Sequence, residues 1–429
     1  MSNRLFVVFA LVGVLPFVSC GRGKVESVSN ADPSRVRSAS YVVVAEGDWP
    51  WWAGPQRDFE SAAESIPVEF DEQQNCSWNY AIPGAGHSSP IVVGDQVFLT
   101  AAEESAKTKS LICVDRNTGD EKWIKTLHQG AFMHTHGKNS QASATPASDG
   151  ERVFTAFMFD NGIQVSAVNL AGDILWQQKA GGFQSRHGFG SSLIIYKSLV
   201  IAAGDNPGSG FITALDRETG EIVWRISRVN ESSYSTPNIV KLNDKDQLII
   251  SGAGKVHAYD PATGEEFWSS EGPAKTTANT LVSDGELVFS GGGYPENRFY
   301  CIDPTTQQVK WKVNLKSYVP SPLLVDDSVI IPQDGGILAS LDKETGEQDW
   351  KIRLGQDVSG SAIKVRDRLY IGGERGTMFV VDTSGKILAK NKLDGRIMST
   401  PAISGKQLFV RTAGTLFCFV NSTIEKPNQ

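Results

Sequence analysis

Cysteine, methionine and histidine are scarce in this 429-residue chain, which holds five, five and six of them. The cysteines stand far apart, at 20, 76, 113, 301 and 418, so neither a CxxC redox pair nor a CxxC zinc knuckle is present. Basic blocks are also missing: 41 Lys and Arg against 48 Asp and Glu leave a net charge of −7, which argues against nucleic acid as a partner. The apolar run from Leu5 to Phe17 is too short for a membrane-spanning helix. No P-loop, dinucleotide fingerprint or nucleophile elbow occurs. What the chain does have is glycine, 42 residues, and tryptophan, 10 residues, in a composition 40% hydrophobic that supports a large buried core.

The tryptophans carry a repeat. "ALDRETGEIVW" at 214–224 returns as "AYDPATGEEFW" at 258–268, and variants of it begin at 113, 167, 301, 340 and 380, the last with Ala389 in place of Trp. A spacing of about 40 to 50 residues is that of a propeller blade or a similar array. In each copy an apolar strand ends at an Asp able to accept bonds from the N–H groups of its own turn, and Gly supplies the positive φ before the next strand. Upstream of each copy a small polar residue opens a strand, as in "HSSPIVV", "YSTPNIV" and "STPAIS". There are eight openers but seven endings from Cys113 onward, and "NCSWNYAIP" at 75–83 offers the missing outer strand. The reading is an all-β, eight-bladed propeller closed by an N-terminal strand, which removes an exposed sheet edge. In that strand Ser77 is expected opposite Cys418, with Cys76 on the other sheet face and no disulfide between Cys76 and Cys418. Cys113, Cys301 and Cys418 take the Ala position of the motif and read as small buried hydrophobes.

The repeat resembles the A-x-D-x-x-T-G-x-x-x-W tryptophan-docking pattern of the PQQ-like quinoprotein propellers, a family that includes quinone-dependent alcohol dehydrogenases and the assembly lipoprotein BamB. The resemblance covers residues 75–420 and implies that Trp78, Trp123, Trp176, Trp224, Trp268, Trp311 and Trp350 dock between neighbouring blades. The dehydrogenases share a vicinal Cys pair, a stacking Trp on the channel floor and an acidic Ca²⁺ cage. Adjacent cysteines are absent here, the blade tryptophans are used for docking, and no acidic cluster falls in the long loops, so PQQ and quinone-dependent catalysis are disfavoured. No cofactor is expected.

Residues 1–20 have the order of an export signal: Arg4, the apolar run, small Ser19 and then Cys20. Cys20 resembles the lipidated Cys of a bacterial lipobox, although Phe17 stands where Leu is usual; a plain cleaved signal is the alternative. Within 21–74, residues 24–47 read as a tether. "DWPWWAGPQRD" at 48–58 resembles the Trp-rich lead-in of planctomycete-type exported propellers, packed as a strap or exposed as a docking peptide. Residues 421–429 form a tail.

Alternating strand direction sorts the loops by face. The turns joining the first to the second strand of a blade, and the third to the fourth, are short and acidic; the long connections 101–110, 127–141, 181–190, 204–211 and 291–299 all reach the other face. His87, His128, His134, His136 and His187 lie there too. "HTHGKNS" and "SRHGFG" make His87, His134, His136, Lys138, Asn139, Arg186 and His187 the candidate ligand-binding set, as polar channel lining, as a holder of a small anion or acidic peptide end, or as a three-imidazole zinc site. No metal site is expected, since neither carboxylate nor Cys accompanies the histidines at fixed spacing. The resulting expectation is an exported, lipid-anchored envelope propeller, periplasmic or outer-membrane-associated, that binds an envelope protein or small ligand on its long-loop face. A quinone-dependent enzyme and a sensor domain are the alternatives.

Overall fold

A computed structural model describes residues 28–29 and 32–421. Cys20, the export-type segment and nearly all of the tail lie outside the described residues. The described chain forms eight antiparallel sheets of the same plan. In the first blade the strands are Ile91–Val93, Gln96–Glu103, Thr108–Asp115 and Glu121–Gln129, in spatial order from channel to rim. The next six blades span 147–182, 194–227, 238–271, 282–313, 323–353 and 363–392. The eighth takes three strands from 402–420 and its outer strand, Cys76–Ala81, from the other end of the chain.

Each turn motif builds the same corner. Asp342 Oδ1 accepts from the N–H groups of Glu344 and Thr345, and Gly346 then takes φ +75°. The following Trp sits opposite the small residue of the third strand, as Trp224 does opposite Ala214, after a one-residue bulge. From there the indole reaches the next blade: Trp123 Nε1 donates to the Leu170 carbonyl at 3.1 Å, Trp176 to Arg217, Trp224 to Pro261, Trp311 to Lys343 and Trp350 to Thr383. Trp78 closes the circle by donating to the Arg116 carbonyl of the first blade at 2.9 Å. Trp268 differs. The blade it faces has Gln307 where the motif has Gly, and its Nε1 bonds instead to Gln247 Oε1 of its own blade at 2.8 Å. The expected register of the closing strand is off by one, since Trp78, not Ser77, pairs with Cys418, and Cys76 lies opposite Phe419. The bulge common to the motif accounts for the shift. Cys76, Cys113, Cys301 and Cys418 are free thiols.

The strand openers have a role that the repeat alone did not disclose. Their hydroxyls link blade to blade at the channel wall. The Ser89 N–H donates to Thr145 Oγ1, Thr145 to Ser192, Ser192 to Thr236, Thr280 to Ser321, Ser321 to Ser361, Ser361 to Thr400, and Thr400 back to Ser89, all at 2.9–3.0 Å. At the place of the remaining link the Thr280 hydroxyl accepts from Trp52 Nε1 at 2.9 Å.

Trp52 belongs to the lead-in, which runs into the channel from the short-turn face. Trp49 bridges Val92 of the first inner strand, the Ser148 N–H donates to the Pro50 carbonyl, Arg57 donates to the Ile195 carbonyl, and Glu60–Ser61 pairs in parallel with Ile363–Val365. Trp49, Trp51 and Phe59 are buried there. The described part of the segment read as a tether also lies against the propeller. Its short helix Pro33–Ser38 buries Val36, Arg37 pairs with Asp260, and Val28–Ser29 adds a fifth strand to the rim of the third blade.

Candidate functional site

Because inner strands start at the long-loop end, their openers ring the channel there, and Trp52 stops it at that level. Above Trp52 lies a cavity of about 530 Å³ on the long-loop side. Of the expected set, His87, His136, Lys138, Asn139 and His187 line it together. His134 and Arg186 do not: both are exposed, and His134 Nδ1 is 2.7 Å from the Arg186 carbonyl, which ties the two loops outside the cavity. His128 is also apart, buried and stacked on Phe159 at 4.7 Å.

The loop 130–140 is held by its neighbours across the mouth. His136 and His187 rings meet edge to face at 5.7 Å, His187 Nδ1 lies 3.0 Å from the Tyr234 hydroxyl, and Asn139 Nδ2 donates to the His187 carbonyl. Lys138 leaves the connection between the first two blades and crosses to the opposite rim. There its Nζ lies 2.9 Å from Glu374 Oε1 of the seventh blade and 3.8 Å from Asp334 Oδ1 of the sixth. Burial opposes the Glu374 charge, but bonds from Ser359 and Lys138, with Arg396 at 3.1 Å, keep its carboxyl below the usual range. Burial raises Asp334, although its carboxylate accepts from the Tyr318 N–H at 2.8 Å. Lys138 is therefore neutralised within the wall, and a Lys138–Arg186–His187 anion site as read from sequence does not assemble.

His87 faces a different environment. Burial, and then the charges of Arg411 and Arg396, push its imidazole down to about 4, so the ring is neutral near pH 7, and its Nδ1 is buried with no hydrogen-bond partner. Arg411 behind it is 1% exposed and bonds the Ser88 carbonyl at 2.9 Å, while its Nε and one amino nitrogen have no partner among the described residues.

Sequence reasoning missed Trp52, Glu374, Asp334, Tyr234, Tyr318 and Lys316. The two carboxylates sit in short turns between second and third strands, on the same face as the long loops, and nothing in the length of those turns marks them. The blade tryptophans dock as expected, and it is Trp52 of the lead-in that supplies a channel floor. Even so, the lining does not fit the quinone of the dehydrogenases. It contains neither cysteine nor carboxylate, and no group of three His, Cys, Asp or Glu suited to a metal occurs among the described residues.

The comparisons with known proteins agree with this architecture. Of the curated relatives, an outer membrane protein assembly factor BamB from Burkholderia pseudomallei is 31% identical over 110 residues, 25% of this chain and 29% of its own length. Methanol dehydrogenase subunit 1 of Methylorubrum extorquens is 28% identical over 327 residues, 64% of this chain and 51% of its own. The chain thus spans less than a third of the first of these and about half of the second. The crystal structure of BamB from Moraxella catarrhalis superposes with a TM-score of 0.60 at 17% identity, covering 81% of this chain and 99% of that one, a likeness of fold. The profile of the family described as outer membrane protein assembly factor BamB matches residues 68–178, 106–251, 252–365 and 335–424, and the chain belongs to that family.

Proposed function

We propose that this chain is an exported, lipid-anchored scaffold of the cell envelope, periplasmic or outer-membrane-associated, which binds another protein or a small ligand through its long-loop face. The observation that carries the reading is the stoppered channel. With the lead-in filling one end, a concave surface remains at the other, edged by loops that the short-turn face lacks. Membership of the BamB family supports a scaffold role, and the same fold hosts unrelated activities. The dehydrogenase alternative draws no support from a lining without cysteine or carboxylate.

The test is retention of a partner captured from envelope extract. A variant with Tyr234, His187 and Lys138 changed to Ala is expected to lose it. A control with Asp327 and Asp367, exposed in short turns of the opposite face, changed to Ala is expected to keep it, and exposed substitutions of this kind shift stability by less than about 0.5 kcal/mol. Loss in the control with retention in the cavity variant would place the working surface on the short-turn face and end the proposal.

A further inference from the structure

The cavity has a marked charge asymmetry. Two ammonium groups, Lys138 and Lys316, and three imidazoles are among its lining residues, and no carboxylate is; Lys138 is neutralised by Glu374 and Asp334 and His87 is neutral, so Lys316 is the lining charge left to meet a ligand. The nearest carboxylates are already engaged. Glu374 accepts from Ser359, Lys138 and Arg396, and Asp334 from the Tyr318 and Val319 N–H groups. Lys316 has no ion pair among the described residues, and Arg411, buried behind His87, has no carboxylate partner. An anion entering this space meets the Lys316 ammonium, whose charge also reaches the buried Asp334 carboxylate, and hydrogen-bond donors; a cation meets that ammonium with no lining carboxylate to offset it.

Shape adds a second constraint. Trp52 and the lead-in close the far end, so a polypeptide cannot thread through, and a chain end reaches in without having to turn back out of the mouth. An N-terminus is an ammonium and is disfavoured, whereas a C-terminus is a carboxylate. The walls of Trp52, Tyr234 and Tyr318 suit one ring-bearing residue, and about 530 Å³ holds little more. Resting on the scaffold reading above, we infer that the cavity captures a carboxylate attached to an apolar ring, either the C-terminal residue of a polypeptide or a small free acid.

Calorimetric titration of the purified protein tests this with N-acetyl-Ala-Ala-Phe, its C-terminal amide and benzoate. The tripeptide acid is expected to bind at least roughly tenfold more tightly than the amide, and Lys316→Gln to remove most of that difference. Lys241→Gln on the short-turn face is expected to leave it intact. Benzoate binding as well as the tripeptide acid identifies the free small acid as the source; a tighter tripeptide identifies the chain end. Equal binding of acid and amide, or no binding of either acid, overturns the inference. Because partner capture is read separately, a carboxylate-blind cavity in a protein that still holds its partner on the long-loop face leaves the scaffold reading standing.

Discussion

At the scale of single residues the propeller is held by an indole lying on a glycine. A Cβ on Gly119 would come within 2.6 Å of the Trp78 ring, and one on Gly172, Gly220, Gly264, Gly346 or Gly385 within 2.6–3.0 Å of the preceding blade's Trp. Gly119 also takes φ +76°, so Gly119→Ala meets both a clash and left-handed backbone. Loss of roughly 2–4 kcal/mol is expected, close to that of truncating the buried Trp78 itself, and urea unfolding of the two variants and of the double variant measures it. Sub-additive losses are expected, because both changes break the same contact and removing the Trp78 ring relieves the clash. The motif was legible because it recurs: Ala, Asp, Gly and Trp at fixed offsets state one packing solution several times. Trp52 occurs once, outside the repeat, and nothing in its neighbours distinguishes an indole that stops a channel from one that covers a surface. The hydroxyl ring falls between these cases. Its Ser and Thr residues were visible as openers, but their bonds join residues 39 to 56 positions apart, and 311 apart at Thr400–Ser89, and follow from circular closure.

At the scale of elements, the loop 130–140 is the least regular part of the site, and one ion pair fastens it across the mouth. Lys138 is about a third exposed and its partner Glu374 much less so, which places the contact between a surface pair and a buried one. In Lys138→Met the loop keeps its bonds to His187 but loses its hold on the far rim, and faster amide exchange is expected across 130–140, with the inner strands unchanged. High salt should reproduce part of the effect in the parent. Exchange confined to the inner strands instead would mean that the pair stabilises the blade rather than the loop. The crossing was not readable from sequence, because Lys138 and Glu374 are 236 positions apart and meet only once eight blades have formed a circle.

For the whole molecule, the acid response follows from groups buried in neutral form. Burial lowers His87 and His128 to about 4, whereas the unfolded value is near 6.5. Between these values the unfolded chain binds protons that the folded chain does not, so stability is complete above about pH 6.5 and falls as the pH approaches about 4. Each shift amounts to as much as about 3 kcal/mol. The turn aspartates Asp115, Asp342 and Asp382, lowered chiefly by bonds from Lys122, Thr345 and Ser384, lose their contribution only at still lower pH. Urea midpoints at about pH 7 and about pH 4.5 should differ clearly, and His128→Phe should narrow the gap. An unchanged gap would assign the acid response elsewhere.

The closing strand has a consequence in time. Cys76–Ala81 is made early, yet its partner Thr415–Val420 is the last described strand of the chain. The lead-in before it must also wait, since it rests on inner strands spread from Val92 to Lys364. Blades one to seven can each pair locally as they emerge, but the seal forms only when residues 415–420 arrive. Until then an apolar, tryptophan-bearing strand and the unsealed edge it will cover remain available to other chains. Two complete chains could therefore exchange ends, each placing its Cys76–Ala81 strand on the other's Thr415–Val420, whereas a chain interrupted before residue 415 lacks the strand on which the seal is built.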